Sequence, residues 1–191
     1  METMTGLELR RWIEGAVFFF LFCLTVPMAN WMIGHVGTEC VPQGPCLIPV
    51  APRLMAPSGV LMIGAALVLR DLVQRRLGVW ASVGAILIGA GLSSLVAPMP
   101  LIVASATAFL LSELADLAVY TPLARRRLIA AVIASSMVGL VVDSIVFLWL
   151  AFGSLQFLWG QVVGKAWMVV LSIPFVMLLR RRDERIGLKA A

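Results

Sequence analysis

The chain has 191 residues, of which 61% are hydrophobic and only 13% charged, with a mean hydropathy of +1.01 and a net charge of +5. A soluble domain carries about a quarter charged residues, so this composition excludes a chain that covers a water-facing surface. Lipid is the solvent for most of it.

Six apolar stretches follow one another, each close to the roughly 20 residues that a bilayer-spanning helix needs. The first runs from about Trp12 to Gly34. It exceeds the roughly 7–15 residues of a secretory h-region, and no small-residue cleavage site follows, so it reads as a retained helix. A loop rich in Gly, Pro and Cys spans His35 to Pro52. The second helix is predicted over about 54–69, followed by a polar connection from Arg70 to Gly78. The third is predicted over about 79–96, with a tight turn at Ala97–Pro100. The fourth covers about 101–119 and is closed by Tyr120-Thr121-Pro122 and Arg125-Arg126-Arg127. The fifth covers about 128–152, the sixth about 158–179, with a short turn at Gly153–Phe157 between them and a basic tail after them. The predicted fold is all-α: one polytopic membrane domain over residues 1–191, with six transmembrane helices.

Lys and Arg concentrate on the cytoplasmic side of membrane proteins. With six spans, every basic residue except Arg53 and Lys165 falls on one side: Arg10 and Arg11, Arg70 to Arg76, Arg125 to Arg127, and Arg180 to Lys189. The expectation is a multi-pass protein of the cytoplasmic membrane with both termini cytoplasmic. The basic runs then contact lipid headgroups, and nucleic acid is not expected as a partner.

Charges inside apolar spans cost about 2.5–3.5 kcal/mol each on insertion scales and face a bundle interior or a pathway. They are Glu113 and Asp116 in the fourth helix, Asp143 in the fifth and Lys165 in the sixth. Asp143 and Lys165 both lie roughly 10–14 Å below the outer surface at 1.5 Å per residue. The short turn between their helices makes an ion pair at matched depth expected, either to fix packing or to meet a substrate. Glu113 and Asp116, at i and i+3, share a helix face. Two carboxylates that close in low dielectric do not both ionise, so they share a proton or find a cationic partner, Arg125 or another inner-face Arg for Asp116. A ligand or proton-coupling role is the functional reading. Asp71 beside Arg70 reads as a loop-structuring salt bridge. Asn30, Ser58 and Gln161 are neutral candidates for substrate binding or for cross-bonds between helices.

Cys40 and Cys46 bracket VPQGP in the first outer loop, where disulfides persist. A disulfide is the first reading. A reduced pair, or a metal site with His35, stays open, although the spacing matches no strong zinc pattern and no metal is expected. Cys23 reads as a packing residue. Trp12, Trp80 and Trp159 suit the interfacial belt. Trp31, Trp149, Phe157 and Trp167 suit either lipid or the face of a flat heterocycle. No P-loop, HExxH or G-x-S-x-G is present, and an enzyme is not expected.

Several segments in order carry a family resemblance: Ala29-Asn30; Ala56-Pro57-Ser58-Gly59; Leu69-Arg70-Asp71-Leu72-Val73-Gln74 with Gly78; Ser112-Glu113-Leu114-Ala115-Asp116 with Val119-Tyr120 and Leu123; Val142-Asp143-Ser144 with Phe147; and Gly164-Lys165. Over about residues 15–185 the chain resembles the queuosine precursor transporter family, six-helix vitamin-uptake-like membrane proteins. The resemblance implies uptake of a 7-deazapurine such as 7-cyano- or 7-aminomethyl-7-deazaguanine, and a fold similar to the substrate-binding subunits of energy-coupling-factor transporters. The CVPQGPC loop is not a feature of the family as a whole, which leaves the outer gate outside the carry-over. The implied substrate-binding set is Asn30, Ser58, Glu113, Asp143, Gln161, Lys165 and Trp167, with Glu113 and Asp116 as proton-coupling candidates. A guanine-like edge offers a ring N–H and an amino group in a row, which one carboxylate accepts bidentately. No cofactor is implied. The energy source is either protons or a separate energising complex. Uptake of another small heterocycle, or a non-transporting assembly subunit, is the alternative.

Overall fold

A computed structural model describes residues 6–42, 44–96 and 99–188, with the side chains of 90, 93, 94, 96 and 99–102 left aside. Ala97 and Pro98, in the predicted turn, and Lys189, in the basic tail, lie outside the described residues.

Six helices and a small sheet make up the fold: α1 (Gly6–His35), β1 (Glu39–Cys40), β2 (Cys46–Ala51), β3 (Leu54–Pro57), α2 (Val60–Leu77), α3 (Val79–Val96), α4 (Met99–Ala124), α5 (Leu128–Phe152) and α6 (Leu158–Ile186). Four helical stretches are long and apolar enough to cross a membrane: Gly6–His35, Val103–Ala124, Leu128–Phe152 and Leu158–Ile186. Exposed Leu, Ile, Val, Phe and Trp cover the outside of the bundle, the inversion expected when lipid rather than water is the solvent.

Two expectations are corrected. Residues 35–57 are not a loop leading straight into a helix. Pro45, Pro49, Pro52 and Pro57 recur too closely for a helix to propagate, while Ile48 and Val50 suit a pleated strand. The segment folds as an antiparallel sheet of order β1-β2-β3, with Cys40 opposite Cys46, Ile48 opposite Ala56 and Pro49 opposite Met55. The second helix therefore starts at Val60 rather than near Leu54.

The other correction is at the far end of that helix. Arg70–Leu77 is not a polar connection but the second half of α2. No Gly or Pro interrupts RDLVQRRL, so nothing stops the helix before Gly78. α2 touches all five other helices and is thus the central helix of the bundle, although Arg70, Asp71, Arg75 and Arg76 lie along it. Its buried residues include Arg70, Asp71, Gln74 and Arg76. Charges at membrane depth face the protein interior rather than lipid, which suits a helix with these buried charges to the middle of the bundle.

The bundle has two unlike ends. At the sheet end, Thr38 and Ser58 bond the sheet to itself and to α1: Thr38 N–H donates to Leu47 O at 2.8 Å, and Ser58 Oγ–H donates to Met32 O at 2.7 Å. At the basic end, Arg76 forks onto Asp183 with two bonds of 2.9 Å and reaches Glu14 at 2.9 Å, while Arg182 reaches Glu14 at 2.6 Å and Arg75 reaches Asp183 at 3.1 Å. This network ties α1, α2 and α6 together. Bidentate Arg–carboxylate geometry makes it a firm closure.

Candidate functional site

A pocket opens at the sheet end between α1, α2, α4, α5 and α6. Val26, Ala29, Asn30 and Ile33 of α1 line it, with Pro57, Gly59, Val60 and Ile63 at the start of α2. Ser105 and Phe109 of α4, Asp143 and Phe147 of α5, and Gln161 and Lys165 of α6 complete it. The cavity is small in this conformation, about 50 Å³.

Lys165 organises its polar side. Its ammonium donates to Asp143 Oδ2, to Ser144 Oγ at 2.8 Å and to Gln161 Oε1 at 2.9 Å. The ion pair expected from matched depth therefore forms, and all three donor positions of the ammonium are used. Close approach of α6 to α2 sets Lys165 in place: a Cβ on Gly64 would sit 2.8 Å from Met168 Cβ and 3.0 Å from Lys165 Cα. Only a residue without a side chain lets the backbones come so near. Asp143 Oδ2 and Gln161 Oε1 face the ammonium in this way. Both belong to residues that line the pocket.

Four of the residues expected to bind substrate are thus brought together: Asn30, Asp143, Gln161 and Lys165. The other three stand elsewhere. Ser58 is buried, and its hydroxyl is engaged by Met32 O. Trp167 is 52% exposed, and its indole N–H donates to Val50 O at 3.0 Å, pinning β2 to α6. Trp31 and Trp149 also point outward. The ring faces in the pocket are Phe109 and Phe147 instead. Phe109 went unremarked in the sequence because a Phe in an apolar helix looks like ordinary core.

Glu113 lies below the pocket, one turn along α4 from Phe109, in a second cluster. Arg70 is its hub. The guanidinium contacts Asp71 Oδ1 at 2.7 Å, Glu113 Oε2 at 3.4 Å and Asp116 Oδ2, and its carbon lies 5.5 Å from the centre of the Tyr120 ring. Ser135 Oγ–H of α5 donates to Asp71 Oδ2 at 3.2 Å. Arg70, Asp71, Glu113 and Asp116 are each 0% exposed. The cationic partner expected for Glu113 and Asp116 is therefore Arg70, not Arg125. Arg70 and Asp71 do form the expected salt bridge, but inside the bundle rather than in a boundary loop, and Arg70 does not join the basic end. Gly139 lets α5 press on this site, since a Cβ there would lie 3.0 Å from Asp116 Cβ and 2.8 Å from Leu67 Cδ2.

Cys40 and Cys46 form a disulfide across the β1–β2 hairpin. His35 takes no part, its Nδ1 lying 2.8 Å from Trp31 O and its ring stacked on Trp31. Among the described residues no group of three His, Cys, Asp or Glu side chains could hold a metal. Cys23 packs against the core.

Residues 93–179 match the family model described as "Putative vitamin uptake transporter". That match agrees with the resemblance read from the sequence. It covers all of α4 and α5 and most of α6, and with them Glu113, Asp116, Asp143, Gln161 and Lys165. No curated protein and no solved structure matches the chain.

Proposed function

We propose that the chain imports a queuosine precursor, 7-cyano- or 7-aminomethyl-7-deazaguanine, across the cytoplasmic membrane through six spans, with both termini on the cytoplasmic side. The observation that carries this reading is a carboxylate and an amide held in one mostly apolar pocket that also presents two aromatic rings. Asp143 accepts the ring N–H and the amino group of the guanine-like edge. Gln161 and Asn30 meet the carbonyl and ring nitrogens, and Lys165 holds Asp143 in place. Phe109 and Phe147 supply the apolar ring contact. The pocket faces outward at the sheet end, and the salt-bridged basic end closes the cytoplasmic side.

The family description favours a broader second reading, uptake of another small heterocycle such as a vitamin. Equilibrium binding of labelled 7-cyano-7-deazaguanine to the purified protein separates the two. Binding competed by 7-aminomethyl-7-deazaguanine but not by vitamins is expected. Competition by a vitamin with no effect of either deazaguanine would replace the first reading with the second.

A further inference from the structure

The two charged groups in the bundle differ in their balance. Asp143 and Lys165 neutralise each other. The Arg70 cluster sets three carboxylates, Asp71, Glu113 and Asp116, against one guanidinium, all at 0% exposure. Neither oxygen of Glu113 takes a hydrogen bond among the described residues, nor does the buried Tyr120 hydroxyl. Fully ionised, the cluster would carry two uncompensated negative charges away from water, which costs several kcal/mol per ion.

Among the described residues, no other cation forms an ion pair with these carboxylates. On α2, Arg75 and Arg76 point to Asp183 and Glu14 at the basic end. On α6, Lys165 is taken up by Asp143, Ser144 and Gln161. On α5 the facing group is the Ser135 hydroxyl, with Asp143 one turn beyond Gly139. α3 offers Ser82, whose hydroxyl donates to Arg70 O at 3.5 Å. α1 faces this level of the core with Phe22 and Val26.

We propose that the Arg70–Asp71–Glu113–Asp116 cluster is a proton-binding site that drives the transport cycle. At least one of its carboxyls is held as the neutral acid, and loss and recovery of that proton are coupled to occupation of the pocket one turn above. The coupling has a physical path. Glu113 follows Phe109 of the pocket floor by one turn, and Asp116 abuts Gly139, one turn from Asp143. A substrate that reshapes α4 or α5 at the pocket changes the spacing of the carboxylates around Arg70. The coupling rests on the uptake reading above; the proton itself does not.

Two measurements test it. The first is infrared difference spectroscopy of the purified protein at neutral pH, which needs no substrate. A carbonyl-stretch band of a neutral carboxylic acid is expected, weakened in Glu113→Gln or in Asp71→Asn. Its absence from wild type overturns the proposal, even if the protein proves not to bind any deazaguanine. The second measurement is uptake of labelled 7-cyano-7-deazaguanine into proteoliposomes. An inside-alkaline gradient of about one pH unit should drive accumulation approaching tenfold per coupled proton. Accumulation indifferent to the gradient overturns the coupling. Glu113→Gln and Asp71→Asn should only equilibrate the substrate, gradient or not. Gradient-driven accumulation by both variants at the wild-type level overturns the assignment. If both variants prove unfolded by their thermal melts, the wild-type band and gradient response decide alone.

Discussion

Two ion clusters lie about one helical turn apart in this bundle and obey different arithmetic. Around Lys165 a cation meets one carboxylate at the edge of a pocket, where water or a ligand can reach the remaining oxygen. Around Arg70 a cation meets three carboxylates with no exposure at all. The first arrangement is charge-balanced and lines the pocket, which suits recognition of a polar edge. The second is unbalanced and sealed, so its protonation state, not its hydrogen bonding, must make up the difference.

The largest expected effect comes from removing a hub. Arg70→Met strands three buried carboxylates, and breaking a buried ion pair by deleting one partner costs about 3–5 kcal/mol. Thermal unfolding in detergent should show it as a collapse of folded yield. Lys165→Met strands only Asp143, which lies beside the pocket and can take up water or a proton, so its stability loss should be less than half as large. Equal losses would mean that the two clusters do not differ in the way argued here.

Asp143→Asn separates recognition from stability. A hydrogen bond to a charged group is worth about 1.5–3 kcal/mol, so binding of 7-cyano-7-deazaguanine should weaken by about 10- to 150-fold. Folded yield, measured alongside, should fall no further than in Lys165→Met, because the ammonium keeps Ser144 and Gln161 and Asn still offers it an oxygen. Unchanged affinity would remove Asp143 from the site. The double variant Asp143→Leu with Lys165→Met replaces the pair by apolar groups, which is often neutral for stability, and should abolish binding while restoring the melting temperature lost in Lys165→Met.

Much of this contrast was legible in the sequence, and the part that was not has a clear cause. Hydropathy and the short Gly153–Phe157 turn were enough to bring Asp143 to Lys165. Glu113 and Asp116 were recognised as a pair in need of a cation. Arg70 was missed because hydropathy averages residues 70–77 into a surface connection. The counter-signal was present: eight residues without Gly or Pro, continuous with an apolar helix, and two carboxylates elsewhere without a partner. The strands were missed for a different reason. Six residues broken by Pro49 are too few for alternation to show, and their pairing is set by the Cys40–Cys46 link and by docking on α1 and α6. Phe109 carries no sequence mark, since a pocket-lining ring and a core ring look alike.

Restraint of the sheet gives the smaller effects. In the chain-entropy account, closing a loop as short as that between Cys40 and Cys46 is worth about 2 kcal/mol. Cys40→Ser with Cys46→Ser should therefore raise hydrogen exchange in residues 39–57 while leaving the helices protected. Uniform loss of protection would mean that the sheet is part of one cooperative unit with the bundle.

The smallest expected effect concerns Trp167, and it decides what that residue is for. If the indole stacked on the substrate, Trp167→Phe would keep a ring face and Trp167→Ala would lose it, so affinity would rank with ring size. In the structure the ring is half-exposed, and what it contributes is the N–H bond to Val50 O. Phe and Ala then lose the same bond, worth about 1 kcal/mol. Both variants should loosen β2 by a similar amount in hydrogen exchange, and both should bind the purine within about twofold of wild type. A graded loss of affinity from Phe to Ala would put the indole back at the substrate and would require α6 to rotate toward the pocket on binding.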